Sequence, residues 1–229
     1  MLADPKLLER PPWSALTTKH SSFALGDDLA WRYRPDYAPM AAIRDVSDEC
    51  LRALGEIMQP GDVVGLFDAQ AVAGTADLGV LAQKTVEQMV YEDSDAMSAA
   101  DRHVDLSPAD VPDMLRLVEL TKPGPFAART IALGSYIGIR IGGELVAMAG
   151  ERMRFPGFTE ISAVCTHPDH RRRGYSSMLV RALMAPILAR GETPFLHIFS
   201  DNADAASLYQ SLGFSQRRTL TVTVLKRRN

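Results

Sequence analysis

The stretch TEISAVCTHPDHRRRGYSSMLVRALMAPILARG, Thr159 to Gly191, constrains the fold more than any other part of the chain. TEISAVCT reads as a strand, and Pro168 closes it because proline has no N–H to donate. Three adjacent arginines follow, Arg171, Arg172 and Arg173, which repel one another and gain nothing from packing. After Gly174, the residues Met178, Leu179, Ala182, Leu183 and Ile187 recur at helical spacing, so YSSMLVRALMAPILAR is an amphipathic helix ended by Gly191. Pro186 removes one hydrogen bond of that helix and predicts a kink costing roughly 3 kcal/mol, unless the last turn separates. A strand that stops short, a basic glycine loop and a helix start together make an anion site, because the unpaired N–H groups of the first turn converge on one point. Gly174 lets the backbone come close, the guanidinium groups add bidentate contacts, and the expected ligand is a diphosphate.

Charge balance decides what kind of anion this is. Over 229 residues the formal net charge is -3, and the pI is about 6.0, so no general excess of positive charge draws the chain to nucleic acid. The first residues, MLADPKLLERPPW, carry charges and prolines where a secretory signal needs an apolar run, and no long apolar stretch predicts a membrane span. Two cysteines, Cys50 and Cys165, lie far apart, which points to a reducing cytoplasm rather than a disulfide framework or a zinc knuckle. His167 and His170 flank a proline loop with no third ligand near them in sequence, so no metal site is expected. With 46% hydrophobic and 23% charged residues, the chain reads as one large or two small globular domains.

The first hundred residues are broken by prolines and carry no motif. SDECLRALGEIM predicts a helix capped by Ser47, GDVVGLFD a short strand, and TADLGVLAQKTVEQMVYED (75–93) has room for another helix. From residue 106 the pattern sharpens. Ser107 caps a helix with Pro108 at its first position, running until Pro123 and Gly124. Ile137, Ile139 and Ile141 alternate with polar or small residues up to the Gly142-Gly143 pair, which supplies the positive φ angles of a two-residue hairpin. After the amphipathic helix, PFLHIF reads as a buried strand, DNADAASLYQSL as a helix with Asp201 or Asn202 near its cap, and TLTVTVL as an alternating strand. The order from 106 onward is α-β-β-β-α-β-α-β.

Two motifs then make a resemblance specific. Arg171-Arg172-Arg173-Gly174-Tyr175-Ser176 resembles the [Q/R]-x-x-G-x-[G/A] signature of the GNAT superfamily of acyl-CoA-dependent N-acyltransferases, and NADAASLYQSLGF resembles its second signature through Asn202, Ala205, Tyr209, Leu212, Gly213 and Phe214. Ser176 departs from the usual Gly or Ala, but its hydroxyl adds little bulk and can donate to a phosphate oxygen. The resemblance covers roughly residues 106–229. It implies an α/β (α+β) fold with a mixed central sheet splayed between two parallel strands and flanked by helices. Residues 1–105 are then an N-terminal α/β subdomain that selects the acceptor, either as a lid or as a second, degenerate copy of the same fold.

The resemblance also implies roles. Acetyl-CoA would be the co-substrate and a primary amine of a small molecule or peptide the acceptor, attacked directly in a ternary complex. Arg171, Arg172, Arg173, Gly174, Tyr175, Ser176 and Ser177 would hold the pyrophosphate. The N–H of Val164 would face the thioester oxygen, the backbone of Cys165 and Thr166 would pair with the pantetheine arm, and Asn202 and Ala205 would flank it. Tyr209 would protonate the departing thiolate. An alkyl ammonium has a pKa near 10 and must lose a proton before attack; Glu160, eleven residues ahead of Arg171, is the first choice of base, with Glu151 and a water chain in reserve. Each residue has a plainer reading: the arginines as a solvated turn, Tyr209 as a core tyrosine, Glu160 as an outward strand residue, Cys165 as an inert hydrophobe. A non-catalytic acyl-CoA sensor or interaction module is the alternative function. The acceptor stays open among amino acids, polyamines, antibiotics, peptide N-termini and protein lysines, as does assembly into a homodimer.

Overall fold

The computed structural model describes residues 4–92 and 103–229. Its strands are β1 (Ala24–Gly26), β2 (Ala30–Tyr33), β3 (Met40–Ile43), β4 (Val63–Asp68), β5 (Leu78–Tyr91), β6 (Val104–Asp105), β7 (Tyr136–Ile141), β8 (Glu144–Phe155), β9 (Phe158–Thr166), β10 (Thr193–Phe199) and β11 (Phe214–Arg227). Its α-helices are α1 (Pro11–Leu16), α2 (Asp48–Glu56), α3 (Val111–Thr121), α4 (Tyr175–Ala189) and α5 (Ala203–Gln210). All the strands join one mixed sheet in the order β1-β2-β3-β4-β11-β5-β10-β9-β8-β7-β6. No helix is long and apolar enough to cross a membrane among the described residues.

The sheet has the same plan from either edge. In the first half β2 runs antiparallel to β3, α2 crosses over, and β4 returns parallel to β3. In the second half β8 runs antiparallel to β9, α4 crosses over, and β10 returns parallel to β9. Each half then ends in a 14-residue strand, and these two are exchanged. β5 pairs antiparallel with β10, β11 pairs antiparallel with β4, and the two lie side by side at the centre of the sheet. β5 thus carries residues of the N-terminal region into the heart of the 106–229 unit.

Local chemistry explains most elements. Ser47 caps α2 by accepting from the Cys50 amide, and the capping box of Ser107 and Asp110 opens the turn that leads into α3. Gly142 and Gly143 take φ values of 59° and 89°, the pair of positive angles that a tight hairpin between twisted strands requires. α4 passes through Pro186 and continues to Ala189. The last turn does not separate, since proline there removes a single amide bond while Ile187 is fully buried and holds that turn on the core.

The segment 75–93, expected to have room for a helix, instead holds β5 over Leu78–Tyr91, with Asp93 outside the described residues. Its polar residues obscure the period of two. Gln88 is fully buried because its amide bonds the Leu8 carbonyl and receives Arg217, so a core-facing position carries a polar side chain. Four apolar clusters hold the sheet. α4 packs with Ile161, Leu196 and Ile198 on one face, and α3 packs with Met148 and Cys165 on the other. α1 and α2 cover the first half from opposite sides.

Candidate active site

β9 and β10 run parallel over only Phe158↔Thr193, Thr159↔Pro194 and Glu160↔Phe195, and then they part. A cavity of about 720 Å³ opens between them. Its wall on the β9 side is Ile161 to Thr166. A β-bulge shapes this wall: Met148 pairs with Cys165 and Gly150 with Ser162, so Ala149 stands opposite both Ala163 and Val164. Ala163, within the bulge and on the cavity wall, takes the left-handed conformation at φ 53°, which costs of order 1–2 kcal/mol. Val164, Cys165 and Thr166 all line the opening.

At the far end of β9 the chain turns through the arginine loop. Arg172 sits at φ 59° and Gly174, the N-cap of α4, at φ 77°. A side chain on Gly174 would meet nothing within 4 Å, so the glycine serves the backbone angle and leaves open space in front of the helix. No side chain caps α4, and among the described residues no protein acceptor takes the amides of 172–177. Arg171, Arg172 and Arg173 are exposed; Arg171 Nε reaches only the Thr166 carbonyl at 3.5 Å and Arg173 the Asp169 carbonyl at 3.4 Å. Ser176 Oγ lies 3.2 Å from Thr166 Oγ1, tying the first turn of α4 to the strand end. Tyr175 and Ser177 are half-buried in that same turn.

α5 closes the other side. Asn202 is its N-cap, accepting from the Ala205 amide at 3.1 Å, and both residues face the cavity. Tyr209 lines it too; its ring packs against Phe214, and its hydroxyl has no protein hydrogen-bond partner among the described residues. Burial, with some help from nearby Cys165, raises the Tyr209 hydroxyl well above the usual phenol range, so it is fully protonated. Burial also pushes the Cys165 thiol up to about 11, which leaves no thiolate for a covalent route.

The carboxylates are placed differently from expectation. Glu160 has no exposed surface: Arg152 donates to both of its oxygens at 2.7 and 2.8 Å, and His197 Nδ1 lies 2.8 Å from Oε1. Burial alone would raise this carboxyl, but the charge of Arg152 and the hydrogen bonds outweigh it and hold it at about 2. As a direct base Glu160 offers neither a free oxygen nor affinity for a proton. Glu151 is away from the cavity, bound to Arg190 at 2.9 Å. Arg152 and His197 stand between Glu160 and the opening and line it themselves. The sequence reading passed over His197; its only signal was one imidazole in the apolar run PFLHIF.

The remaining wall comes from the first half and from β11. Met40, Val63, Phe67 and Val86, with Val222 and Val224, extend the cavity as a largely apolar trough that also carries Lys84, and Thr121 to Pro125 close it beyond α3. The equivalent gap between β3 and β4 is blocked. A pocket of about 10 Å³ lies there, lined by Arg10, Pro12 and Trp13 around α1. The turn entering α2 is acidic and capped from within: Asp45 accepts from the Ser47 amide at 3.0 Å, and Arg44 pairs with Asp45 and Glu49.

Comparison with known proteins agrees with this geometry. Residues 136–223 match the family described as FR47-like protein. Over 101 residues the chain is 38% identical to the N-alpha-acetyltransferase RimI of Mycobacterium tuberculosis (strain ATCC 25618 / H37Rv), covering 41% of this chain and 63% of that relative's length. A solved acetyltransferase-family structure from Novosphingobium aromaticivorans DSM 12444 is 36% identical over 99% of this chain and 100% of its own, with a TM-score of 0.91. A GCN5-related N-acetyltransferase from Kribbella flavida shares the fold over 100% of this chain and 97% of its own at 15% identity and a TM-score of 0.62. With the splayed strands, the open helix start and a full-length relative in agreement, the chain belongs to the GNAT family of acetyltransferases.

Proposed function

We propose that this protein transfers an acetyl group from acetyl-CoA to a primary amine by direct attack within one ternary complex. The observation that carries the reading is the pairing of an open helix start with parted strands: unclaimed amides at 172–177 lie at one end of a cavity whose edge is the bulged β9. The amides and the three arginines supply the charge for a pyrophosphate. Residues 164–166 and Asn202 flank the pantetheine arm, and the Val164 N–H meets the thioester oxygen, where such a donor stabilises the tetrahedral charge by about 3 kcal/mol. Tyr209, protonated and facing the cavity, gives its proton to the departing thiolate.

The acceptor enters along the trough built by the first half. Its apolar lining favours an amine carried on an apolar body. The charged residues around the whole cavity are Lys84, Lys122, Arg152 and Arg171 against Asp204, a balance that suits a polyanionic co-substrate and disfavours a polyamine. The first half reads as a second copy of the family's fold whose anion site has been replaced by the self-capped acidic turn at Asp45 to Glu49. Two free, buried cysteines fit a reducing cytoplasm. Calorimetry with acetyl-CoA, followed by thiol release across a panel of peptide N-termini and small apolar amines, tests the reading. Absence of binding at sub-millimolar acetyl-CoA sinks it.

A further inference from the structure

An alkyl ammonium must be deprotonated in this cavity, and Glu160 communicates with the cavity only through its neighbours. We propose that His197 is the catalytic base and that Glu160 is the positioning residue behind it, an inference that rests on the acetyl-transfer reading above.

His197 Nδ1 lies 2.8 Å from Glu160 Oε1. An ionised carboxylate only accepts, so Nδ1 carries the proton and donates it. The other nitrogen, Nε2, is 3.3 Å from Nε2 of Gln88. The orientation of that amide is fixed: Arg217 donates to Gln88 Oε1 at 3.1 Å, and Gln88 Nε2 donates to the Leu8 carbonyl at 2.9 Å. His197 Nε2 therefore faces a donor and is unprotonated; its one lone pair accepts a long, weak hydrogen bond from Gln88, which the substrate ammonium displaces. Arg152 holds Glu160 from the opposite side, while Phe67 and Phe195 pack on the imidazole at centroid distances of 5.3 and 5.7 Å. The ring has one orientation and borders the cavity with its side chain only 3% exposed, which shields proton exchange from bulk water.

The bound ammonium gives one proton to His197 Nε2, and the freed lone pair attacks the thioester carbon. As the C–S bond breaks, Tyr209 protonates the thiolate. The second proton on the new C–N nitrogen replaces the one Tyr209 gave, and the imidazolium releases its proton to solvent. The sum is an amide, a thiol and one proton. Glu160 never changes protonation; its charge stabilises the imidazolium while it exists.

Two measurements on the full chain test this. With isotope-labelled histidines and no ligand, nitrogen NMR is expected to show the Nδ1–H tautomer for His197, assigned by its loss in His197→Gln. An Nε2–H tautomer overturns the proposal. In steady-state kinetics with acetyl-CoA, His197→Gln should lower kcat/KM for phenylethylamine by about 100-fold or more. For trifluoroethylamine, which reaches the site already neutral, the loss should be under about 10-fold, with acetyl-CoA affinity by calorimetry changed by less than about 3-fold. Equal losses for both amines, or intact turnover of phenylethylamine, overturn the role of His197 alone. Absence of acetyl-CoA binding to the unmutated chain overturns the transferase reading itself. The tautomer decides the case even where neither amine is accepted.

Discussion

Phe195 stands opposite Glu160 as the last pair joining β10 to β9. The cavity begins one residue later, so the buried ion pair of Glu160 and Arg152 lies at the vertex where the two strands separate. A vertex must end a ladder without leaving buried backbone or charge unpaired. Here the Arg152 guanidinium and the His197 imidazole cover the carboxylate and at the same time form part of the cavity wall.

Replacing Tyr209 by Phe removes a hydroxyl that has no protein partner among the described residues, so folding should change little. Turnover should fall by about 100-fold, the scale of a lost general acid, while acetyl-CoA affinity stays within about 2-fold. Thiol-release kinetics beside calorimetry check this. Unchanged turnover would remove Tyr209 from the acid role.

Gly174→Ala forces a side chain into a left-handed position at φ 77° and should cost about 1 kcal/mol of stability, a thermal shift of a few degrees. The larger effect is on the ligand. A methyl group there occupies the open space before the amides of the first turn, so acetyl-CoA affinity should drop by 10-fold or more. A variant that binds as tightly as the parent would show that the phosphates lie elsewhere.

Glu192 is the hub of a second buried network. It accepts from Lys19 after α1, Arg154 on β8, Thr159 on β9 and Arg190 at the end of α4. Burial alone would raise its carboxyl, but these partners together hold it at about 2, below its unfolded value of 4.5. A depressed carboxyl contributes stability that is complete above the unfolded pKa and is lost as pH falls through the folded one. Thermal stability should therefore hold from neutrality to about pH 5 and decline from there toward pH 2, with Glu160 acting in the same window. Glu192→Gln should cost about 1 kcal/mol at pH 7, since the three cations it leaves are each about a third exposed and stay solvated, and should flatten the acid limb. Melting curves across that pH range give the answer.

A fragment of residues 106–229 should not fold alone. It retains both motifs, but without β5 it exposes the edge of β10 along Phe195 to Phe199 and of β11 from Phe214 to Arg227. Expression of this fragment is expected to give aggregated material without cooperative melting. A soluble fragment that binds acetyl-CoA would refute the dependence on β5.

What the sequence revealed follows the range of the interactions involved. α2, the Gly142-Gly143 hairpin and α4 are written in local chemistry, in a serine cap, a pair of glycines and a period of 3.6, and all three appear as expected. The arginine loop and Tyr209 stood out because both belong to motifs that set residue types at fixed spacing, and the structure brings Arg171 and Tyr209 to one cavity. β5 was not, because its neighbours on both sides come from residues over a hundred positions away, and partners such as Leu8 and Arg217 make Gln88 acceptable in the core. The surroundings of Glu160 were hidden for the same reason. Its spacing from Arg171 is a local fact, but the guanidinium that neutralises it and the imidazole that screens it arrive from other strands.

The exchange of β5 and β11 ties the fate of the two halves together. A substitution that unseats β4 or β5 strips a neighbour from β11 or β10, so damage in the first half is felt along the cavity wall of the second, whereas the surface turn at Asp45 to Glu49 lies outside this exchange.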